Sequence, residues 1–439
     1  MMMLCAACVA SAANYLTFTA AEDGSTFGFV NKDNDPDVQY SLDGGETWTA
    51  LPEGETVILA HKGDKALLKG DNSHGFSKDY GKYSTFKMTG KVAASGSVMS
   101  LIDGVGLSTE IPNNYCFRYL FSGCASLTQA PALPATILTE DCYDCMFKDC
   151  TGLTQAPALP AMTMYESCYD NMFSGCTSLT QAPELPAMTL DYRCYGGMFR
   201  GCTSLTQAPE LPATELSRLC YDGMFLGCTS LTQAPELPAT TLTEGCYESM
   251  FKGCASLTQA PALPATKMAY ACYSAMFLGC TSLTRAPELP AATFSMECYD
   301  AMFYGCTNLS RILVSFDDWN VGYCTSEWVK DVAPTGTFIC PKDLPLEYGV
   351  SKIPEGWTVE YIEEEGTGVS SALSCNITVW TDDLTVHVCG AEGEVSLYDM
   401  SGRSVAVSNS ADEERALSVP SKGVYVVRTN GGSSVVLVR

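Results

Sequence analysis

Two columns of cysteines that repeat every 26 residues constrain this chain more than any other feature. The first cysteine of each pair lies at Cys116, Cys142, Cys168, Cys194, Cys220, Cys246, Cys272 and Cys298. The second follows eight positions later, at Cys124, Cys150, Cys176, Cys202, Cys228, Cys254, Cys280 and Cys306. A fixed period in this length range predicts stacked units that bury their apolar faces only against each other. We therefore expect eight such units within residues 106–316.

Each unit is predicted to contain a short helix followed by a short strand. Cys220, Met224, Phe225 and Cys228 form one stripe on a 3.6-residue period, which favours a helix with one buried side, and Gly227 allows the chain to turn out of it. The prolines of the following SLTQAPELPA segment cannot serve a central antiparallel ladder, so we predict a short parallel strand with an extended arm. The expected fold class is a mixed α/β repeat.

The repeated cysteines are interpreted as packing residues. Two cysteines eight apart on a helix are separated by about 12 Å along its axis, which is beyond disulfide range. Disulfides between adjacent units stay open as the alternative. The histidines, His61, His74 and His387, all lie outside the repeats, so neither a metal site nor a Cys-His nucleophile is predicted there.

Two polar columns along the arm form the candidate binding face. Its members are Gln181, Glu184, Gln207, Glu210, Gln233, Glu236, Arg285 and Glu288. Stacked glutamates about 5 Å apart repel, so they are either simply solvated or presented to a cation or a basic partner. The amides could equally form a structural ladder from unit to unit.

A third column consists of tyrosines that we expect to be half-exposed. It contains Tyr143, Tyr169, Tyr195, Tyr221, Tyr247, Tyr273 and Tyr299, and it continues from Phe117. Tyrosines in that position could pack between units or contact carbohydrate or protein.

The phrase MFLGCTSLTQAPELPATTL, at 224–242, resembles the leucine-rich repeats of BspA-like surface proteins. The resemblance covers residues 116 to about 316. It implies a leucine-rich repeat solenoid of eight 26-residue turns in a cell-surface adhesin or binding protein of a Gram-negative bacterium. It identifies no ligand, because repeat scaffolds are shared while binding surfaces vary.

The segments before the repeats predict a signal peptide and a small β-domain. Residues 1–13 are apolar and end in small residues, as in a secretory signal with a truncated start. Residues 14–105 contain short alternating runs separated by turn residues, which predicts a β-sandwich. Its SLDGGETW segment, 41–48, resembles the Asp-box of sialidase-type propellers, where this motif is a structural turn. We interpret it as a stabilised hairpin.

Three segments follow the repeats. Residues 317–361 lose the 26-residue register and are predicted to form a cap, in which Cys324 and Cys340 could pair. Residues 362–372 are acidic and rich in small residues, which indicates a linker. Residues 373–439, with VSLYDMSGRSVAV and KGVYVVRTNGGSSVVLVR, resemble the C-terminal sorting domain of the type IX secretion system, whose machinery would then be a partner.

Charge and composition narrow the function. A formal net charge of -25 repels phosphate backbones, so nucleic acid is not an expected partner. After the amino terminus no run of 18 or more apolar residues occurs, so no transmembrane helix is predicted. No convergent acid–base pair is found, and we predict no enzyme and no cofactor. The predicted function is adhesion or macromolecular binding to a host or neighbouring-cell protein or glycan, by a secreted or outer-surface protein. A glycan-binding accessory protein of a surface polysaccharide system is the alternative.

Overall fold

In the computed structural model the chain divides into two compact units, Met1–Ile362 and Glu363–Arg439. The structure describes residues 13–291, 293–319, 323–362, 378–382, 384–389, 394–399, 403–408, 414–420, 423–429 and 432–438. The predicted signal peptide therefore lies outside the described residues apart from Ala13. The predicted linker does so apart from Ile362.

The first unit begins with two antiparallel sheets. Their elements are β1 Leu16–Ala20, β2 Ser25–Lys32, β3 Gln39–Ser41, β4 Thr49–Ala50, β5 Thr56–Leu59, β6 Lys65–Lys69, β7 Tyr83–Thr89, β8 Val92–Ser95 and the four-residue helix α1 Ser100–Asp103. One sheet contains β4-β3-β6-β1-β8 and the other β5-β2-β7. The sheets pack face to face, because the buried ring of Phe18 on β1 lies 5.2 Å from Phe27 on β2 and 5.1 Å from Phe86 on β7.

This pair of sheets is continuous with the first repeat. Strand β9, Leu127–Gln129, belongs to that repeat and pairs in parallel with β8. The two sheets and the repeats also share one hydrophobic core, which extends from Leu16 to Trp357. Hydrogen bonding and packing thus both continue across residue 105.

The fold class predicted from the sequence is wrong. The regular secondary structure of the described residues is almost entirely β, with 1% helix and 26% strand. The strands form several small sheets that do not close into a solenoid. Among the described residues, α1 is the only helix, and it lies outside the repeats. A mixed α/β repeat with one helix per unit is therefore excluded, and so is the leucine-rich repeat solenoid that the resemblance implied.

The predicted helix is instead a run of tight turns. Positive φ angles recur every fourth residue, at Leu219 (55°), Gly223 (56°) and Gly227 (74°), so the segment Cys220–Cys228 cannot be helical. A positive φ at the third residue of a turn is the signature of type II turns. The same four-residue spacing still turns Cys220 and Met224 inward, so the apolar stripe is buried although its secondary structure differs.

The hydrogen bonds of this segment alternate between two kinds of partner. The Tyr143 and Phe147 N–H groups donate to the next unit, at Cys168 O (3.1 Å) and Met172 O (2.9 Å). The Met146 N–H, between them in sequence, donates back to Tyr143 O within its own unit (3.1 Å). Because the next unit supplies acceptors at every second residue, the backbone is satisfied without a helix.

The proline-rich arms form single bridges rather than strands. Gln207 pairs in parallel with Gln233, and Gln233 pairs with Gln259. The prolines Pro235 and Pro238 lack the N–H that would extend this pairing. In the described part of the repeats, regular strands occur only at the two ends, in β9 and in β10, Arg311–Leu313.

Aromatic rings form two stacked columns through the core. Adjacent phenylalanine rings from Phe121 to Phe303 lie 5.4–5.8 Å apart and within 9° of parallel. Tyrosine rings from Tyr143 to Tyr299 lie 5.7–6.1 Å apart. Each of these tyrosines is only 1% exposed, so the prediction of half-exposed tyrosines is wrong. The ring spacing lies within the range of favourable aromatic pairs.

The repeated cysteines are buried free thiols, in agreement with the packing interpretation. The sequence did not reveal that the second column also makes hydrogen bonds. The thiol of Cys228 donates to Phe199 O in the preceding unit (3.0 Å), and six of its equivalents do the same at 3.0–3.2 Å. The Cys124 thiol, in the first unit, donates to Phe86 O on β7 (3.1 Å). Burial raises the pKa of the Cys228 thiol to about 12, so the sulfur stays protonated and can donate.

The 26-residue register does not end at residue 316, which corrects the prediction for the cap. Cys324 lies 26 positions after Cys298, and Tyr299 N–H donates to Cys324 O (2.8 Å) in the same pattern as before. Strand β10 pairs in parallel with β11, Thr337–Cys340, at the same interval. Only the pairing of β11 with β12, Thr358–Tyr361, departs from it.

The end of the repeats is covered by three tryptophans. Their indole N–H groups donate to backbone carbonyls, from Trp319 to Pro345 O (2.8 Å), from Trp328 to Lys352 O (2.9 Å) and from Trp357 to Ala333 O (2.7 Å). These bonds satisfy the indoles while their rings cover the last units.

The suggested Cys324–Cys340 pair does not form, since both are free thiols. The thiol of Cys324 instead hydrogen-bonds to that of Cys298, which raises the pKa of Cys298 and lowers that of Cys324.

The second unit is a small β-domain. Its strands are β13 Thr378–Asp382, β14 Thr385–Cys389, β15 Val395–Asp399, β16 Ser404–Ser408, β17 Glu414–Ser418, β18 Gly423–Thr429 and β19 Gly432–Val438. They form two antiparallel sheets, β13-β14-β17 and β16-β15-β18-β19, which share a core that includes Val386, Leu397 and Val427. Thr429 pairs with Gly432, which confirms the predicted hairpin, although its turn residues lie outside the described residues.

Candidate binding face

The structure places all eight predicted site residues on the surface of the repeats. Gln181, Gln207, Gln233 and Arg285 are exposed, as are Glu184, Glu210, Glu236 and Glu288. Single parallel bridges join the backbones of Gln207 and Gln233, so the arms of adjacent units lie side by side. Each glutamate follows three positions later on the same arm, after the same Ala-Pro pair.

Prolines line the depressions in this acidic face. One surface depression, of about 420 Å³, is lined by Gln207, Pro209, Glu210, Pro235 and Glu236 among others. A second, of about 410 Å³, adjoins it and is lined by Pro183 and Glu184 together with the same Pro209 and Glu210. The depressions are therefore continuous, and rigid apolar rings alternate in them with carboxylates.

The three central carboxylates have no cationic partner. Within the described chain, Glu184, Glu210 and Glu236 make no ion pair. Two charges held 5 Å apart in water would repel by about 0.8 kcal/mol, and Glu210 is the one with a glutamate in the unit on either side. A cationic group that bound here would relieve this repulsion.

The face carries both signs of charge towards the carboxyl end of the repeats, where Arg285 and Glu288 belong to one unit. Arg285 occupies the position of Gln233, and its backbone pairs with that of Arg311 in the next unit. An acidic stretch is thus followed by two arginines along one surface. A partner that spanned both would need a complementary change of charge.

A second row of charges lies on the turn side, and sequence reasoning missed it. Arg118 is buried, and its Nε donates to Asp144 Oδ2 at 2.6 Å. Arg193 lies between Asp170 (3.3 Å) and Asp222 (3.4 Å), which belong to units on either side of its own. The signal was present in the sequence, since all three aspartates follow their first cysteine by two positions.

A glycine makes the Arg193 bridge possible. Gly196 occupies the position of those aspartates in the intervening unit, and a Cβ there would lie only 2.6 Å from Asp170 Oδ1. Burial raises the pKa of Asp170 to about 6 even though Arg193 opposes the shift. Burial, together with nearby Asp144, raises the pKa of Asp141 to about 7. Arg118 and Arg193 are paired with Asp144, Asp170 and Asp222, and all of these groups are buried or partly buried, which is typical of a structural network.

The Asp-box is a structural turn, as predicted. It joins β3 to β4, which pair as a hairpin. The Ser41 hydroxyl accepts the Gly45 N–H (2.8 Å), and the Asp43 carboxylate accepts the Thr47 N–H and hydroxyl. The Thr47 hydroxyl and N–H hold the pKa of Asp43 well below its usual range. The carboxylate is thus fully engaged in holding the turn.

The described residues contain no group of three or more His, Cys, Asp or Glu placed to hold a metal ion. No described helix is both long enough and apolar enough to cross a membrane. Comparisons with protein-family models, with curated proteins and with solved structures gave no match. Any functional assignment therefore depends on the chemistry of the surfaces described above.

Proposed function

We propose that this protein is a non-enzymatic, exported surface protein that binds a macromolecule bearing Lys or Arg side chains. The observation that carries the proposal is the run of Glu184, Glu210 and Glu236, exposed and unpaired in three consecutive units over proline-lined depressions. Because the sites are shallow and repeated, binding would be multivalent.

The expected strength of such binding follows from the exposure of the carboxylates. An exposed ion pair contributes roughly 0.2–1 kcal/mol, so three of them supply only a few kcal/mol before the cost of association. A single partner chain would bind weakly. Many copies on a surface would raise the apparent affinity through effective concentration, which suits an adhesin.

The test compares the full chain with a Glu184→Gln, Glu210→Gln, Glu236→Gln variant on immobilised extracellular matrix proteins. A matched control, Glu46→Gln, Glu55→Gln, Glu110→Gln, changes the net charge equally at exposed positions outside the arms. Saturable, salt-sensitive binding that only the first variant loses would support the proposal. Equal losses in both variants, or no binding by the wild type, would contradict it.

Export is the second part of the proposal. The resemblance of residues 373–439 to type IX sorting domains, together with the apolar residues 1–13, supports a route to the outer surface. Deletion of 373–439 is expected to retain the protein inside a host that carries this secretion system. Unchanged surface display would refute the sorting role and leave the binding proposal intact.

The alternative of a glycan-binding accessory protein loses the two features that motivated it. The tyrosine column is buried, and the Asp-box carboxylate is engaged in its own turn. We therefore place no glycan site on either feature.

A further inference from the structure

A different surface combines exposed aromatic rings with lysines, at the junction of the sheet β5-β2-β7 and the first repeat. A cavity of about 320 Å³ there is lined by Lys32, Tyr83, Lys87, Tyr119 and Ser122 together with other residues. The rings of Tyr83 and Tyr119 lie 4.7 Å apart and 38° from parallel, and both are partly exposed.

The lysines give this cavity a charge opposite to that of the protein as a whole. The Lys32 ammonium lies 5.3 Å from the centre of the Tyr83 ring, and Lys87 is exposed at the same cavity. Neither lysine forms an ion pair with any residue that the structure describes. One carboxylate is nearby, since Glu53 Oε1 accepts the Asn31 N–H (3.0 Å), so the cations outnumber it.

Buried groups hold the Tyr119 ring in place, and its hydroxyl also hydrogen-bonds to the buried Cys145 thiol. The Arg118 guanidinium lies between the rings of Tyr80 (3.6 Å) and Tyr119 (4.9 Å). Its Nε donates to Asp144 and its Nη1 to Tyr80 O (2.7 Å). A platform held in this way loses little freedom when it binds a ligand.

The other repeats show that the fold itself does not require these side chains. The position of Tyr119 is occupied in later units by Cys145, Asn171, Gly197, Gly223, Ser249, Ala275, Ala301 and Glu327. The backbone has a positive φ at Tyr119 (58°) just as it does at Ala275 (52°), so this backbone conformation does not favour tyrosine over alanine. Arg118 is likewise replaced by acidic or small residues in every later unit.

We infer that this cavity binds a carboxylated oligosaccharide. Because the faces of the Tyr83 and Tyr119 rings contact each other, Lys32 and Arg118, the partly exposed rings offer apolar edges to the C–H groups of a sugar. The Asn31 and Ser122 side chains offer polar groups to its hydroxyls, and the two lysines offer charge to its carboxylate.

The test measures binding of the full chain to three carboxylated probes by calorimetry: sialyllactose, a hyaluronan hexasaccharide and an oligogalacturonate hexamer. Lactose and maltohexaose serve as neutral counterparts. At least one carboxylated probe is expected to bind, and its neutral counterpart at least about tenfold more weakly. Failure of all three probes, or equal binding of a neutral counterpart, would overturn the inference.

Variants locate the site. Lys32→Gln/Lys87→Gln removes the charge, and Tyr119→Ala introduces the residue that two later units already carry at this position. Each is expected to weaken binding about tenfold or more. The control Lys62→Gln/Lys65→Gln makes the same change of charge at exposed lysines away from the cavity and should bind as the wild type does. Wild-type affinity in the site variants, or an equal loss in the control, would refute the assignment.

Discussion

Exchanging glycine and alanine at one repeated position separates the turn structure from the helix that the sequence suggests. Gly223 has a φ of 56°, and a Cβ built on it meets nothing closer than 3.8 Å. Gly223→Ala should therefore lower the free energy of unfolding only through the left-handed conformation that alanine must adopt, which costs about 1–2 kcal/mol. The smaller entropy of the unfolded alanine variant offsets about 0.4–1 kcal/mol of this cost. We expect a net destabilisation of about 0.8 kcal/mol, the middle of the resulting range. In a helix interior the same change would stabilise by about 1 kcal/mol.

The reciprocal change provides the control. Ala275 occupies the same position two units later, with a φ of 52°. Ala275→Gly should therefore stabilise the protein by a similar amount, whereas in a helix it would destabilise it. Because the two substitutions are opposite in sign, a general effect of mutation in the repeats cannot mimic the expected pair of results.

The measurement is urea denaturation of the full chain and of each variant, with tryptophan fluorescence as the signal. The three buried indoles of Trp319, Trp328 and Trp357 report on the carboxyl end of the first unit. A higher midpoint for Gly223→Ala together with a lower midpoint for Ala275→Gly would refute the turn geometry. Midpoints shifted in the expected directions with an unchanged slope would agree with it.

Three further predictions concern the buried groups. Cys228→Ser should cost less than about 1 kcal/mol in urea denaturation, because Phe199 O remains as an acceptor for the new hydroxyl, and a loss above about 3 kcal/mol would contradict that hydrogen bond. The repeat thiols should react with an aromatic disulfide reagent only after denaturation, and reagent uptake by the native protein would count against their burial. Stability should fall as pH rises from about 4 to 7, because ionisation of Asp170, whose pKa is raised in the folded state, opposes folding. Asp170→Asn should reduce the pH-dependent change in the free energy of unfolding by on the order of 2 kcal/mol. If the variant kept the pH profile of the wild type, the raised pKa of the Asp170 carboxyl would be refuted.

The sequence predicted which side chains face inward better than it predicted the backbone that places them there. Cys220, Met224 and Phe225 are buried as expected, because a period of four in a run of turns resembles the 3.6-residue period of a helix. The distinguishing signal was Gly223 together with Gly227, since two glycines four apart are costly inside a helix and favourable in turns with positive φ. Over nine residues, the spacing of the apolar side chains does not distinguish a period of four residues from one of 3.6.

The tyrosine column was misassigned for a related reason. Tyrosine is compatible with both a buried and an exposed position, so its residue type decides little. The first member of the column is Phe117, which has no hydroxyl, and this residue type was the better sequence indication that the column is buried. In the structure Phe117 is fully buried. The Asp-box, by contrast, was predictable because Ser41, Asp43 and Thr47 bond within a few residues of one another. The Tyr83–Tyr119 cavity was not, since its residues come from a sheet and a repeat with no shared pattern.

The repeats provide an internal comparison from which function can be inferred. Positions that serve packing, such as those of Cys228 and Phe225, have the same residue in nearly every unit, because each unit meets the same neighbours. In a column that varies from unit to unit, each residue is interpreted from the contacts that it makes in its own unit. Arg193 lies in a column without a common residue, and it is explained by Asp170 and Asp222, which it bridges. Tyr119 lies in another such column, where it contacts Tyr83 and Arg118 and hydrogen-bonds to Cys145. The binding inference is placed at its unit because the cavity that Lys32 and Lys87 line is there.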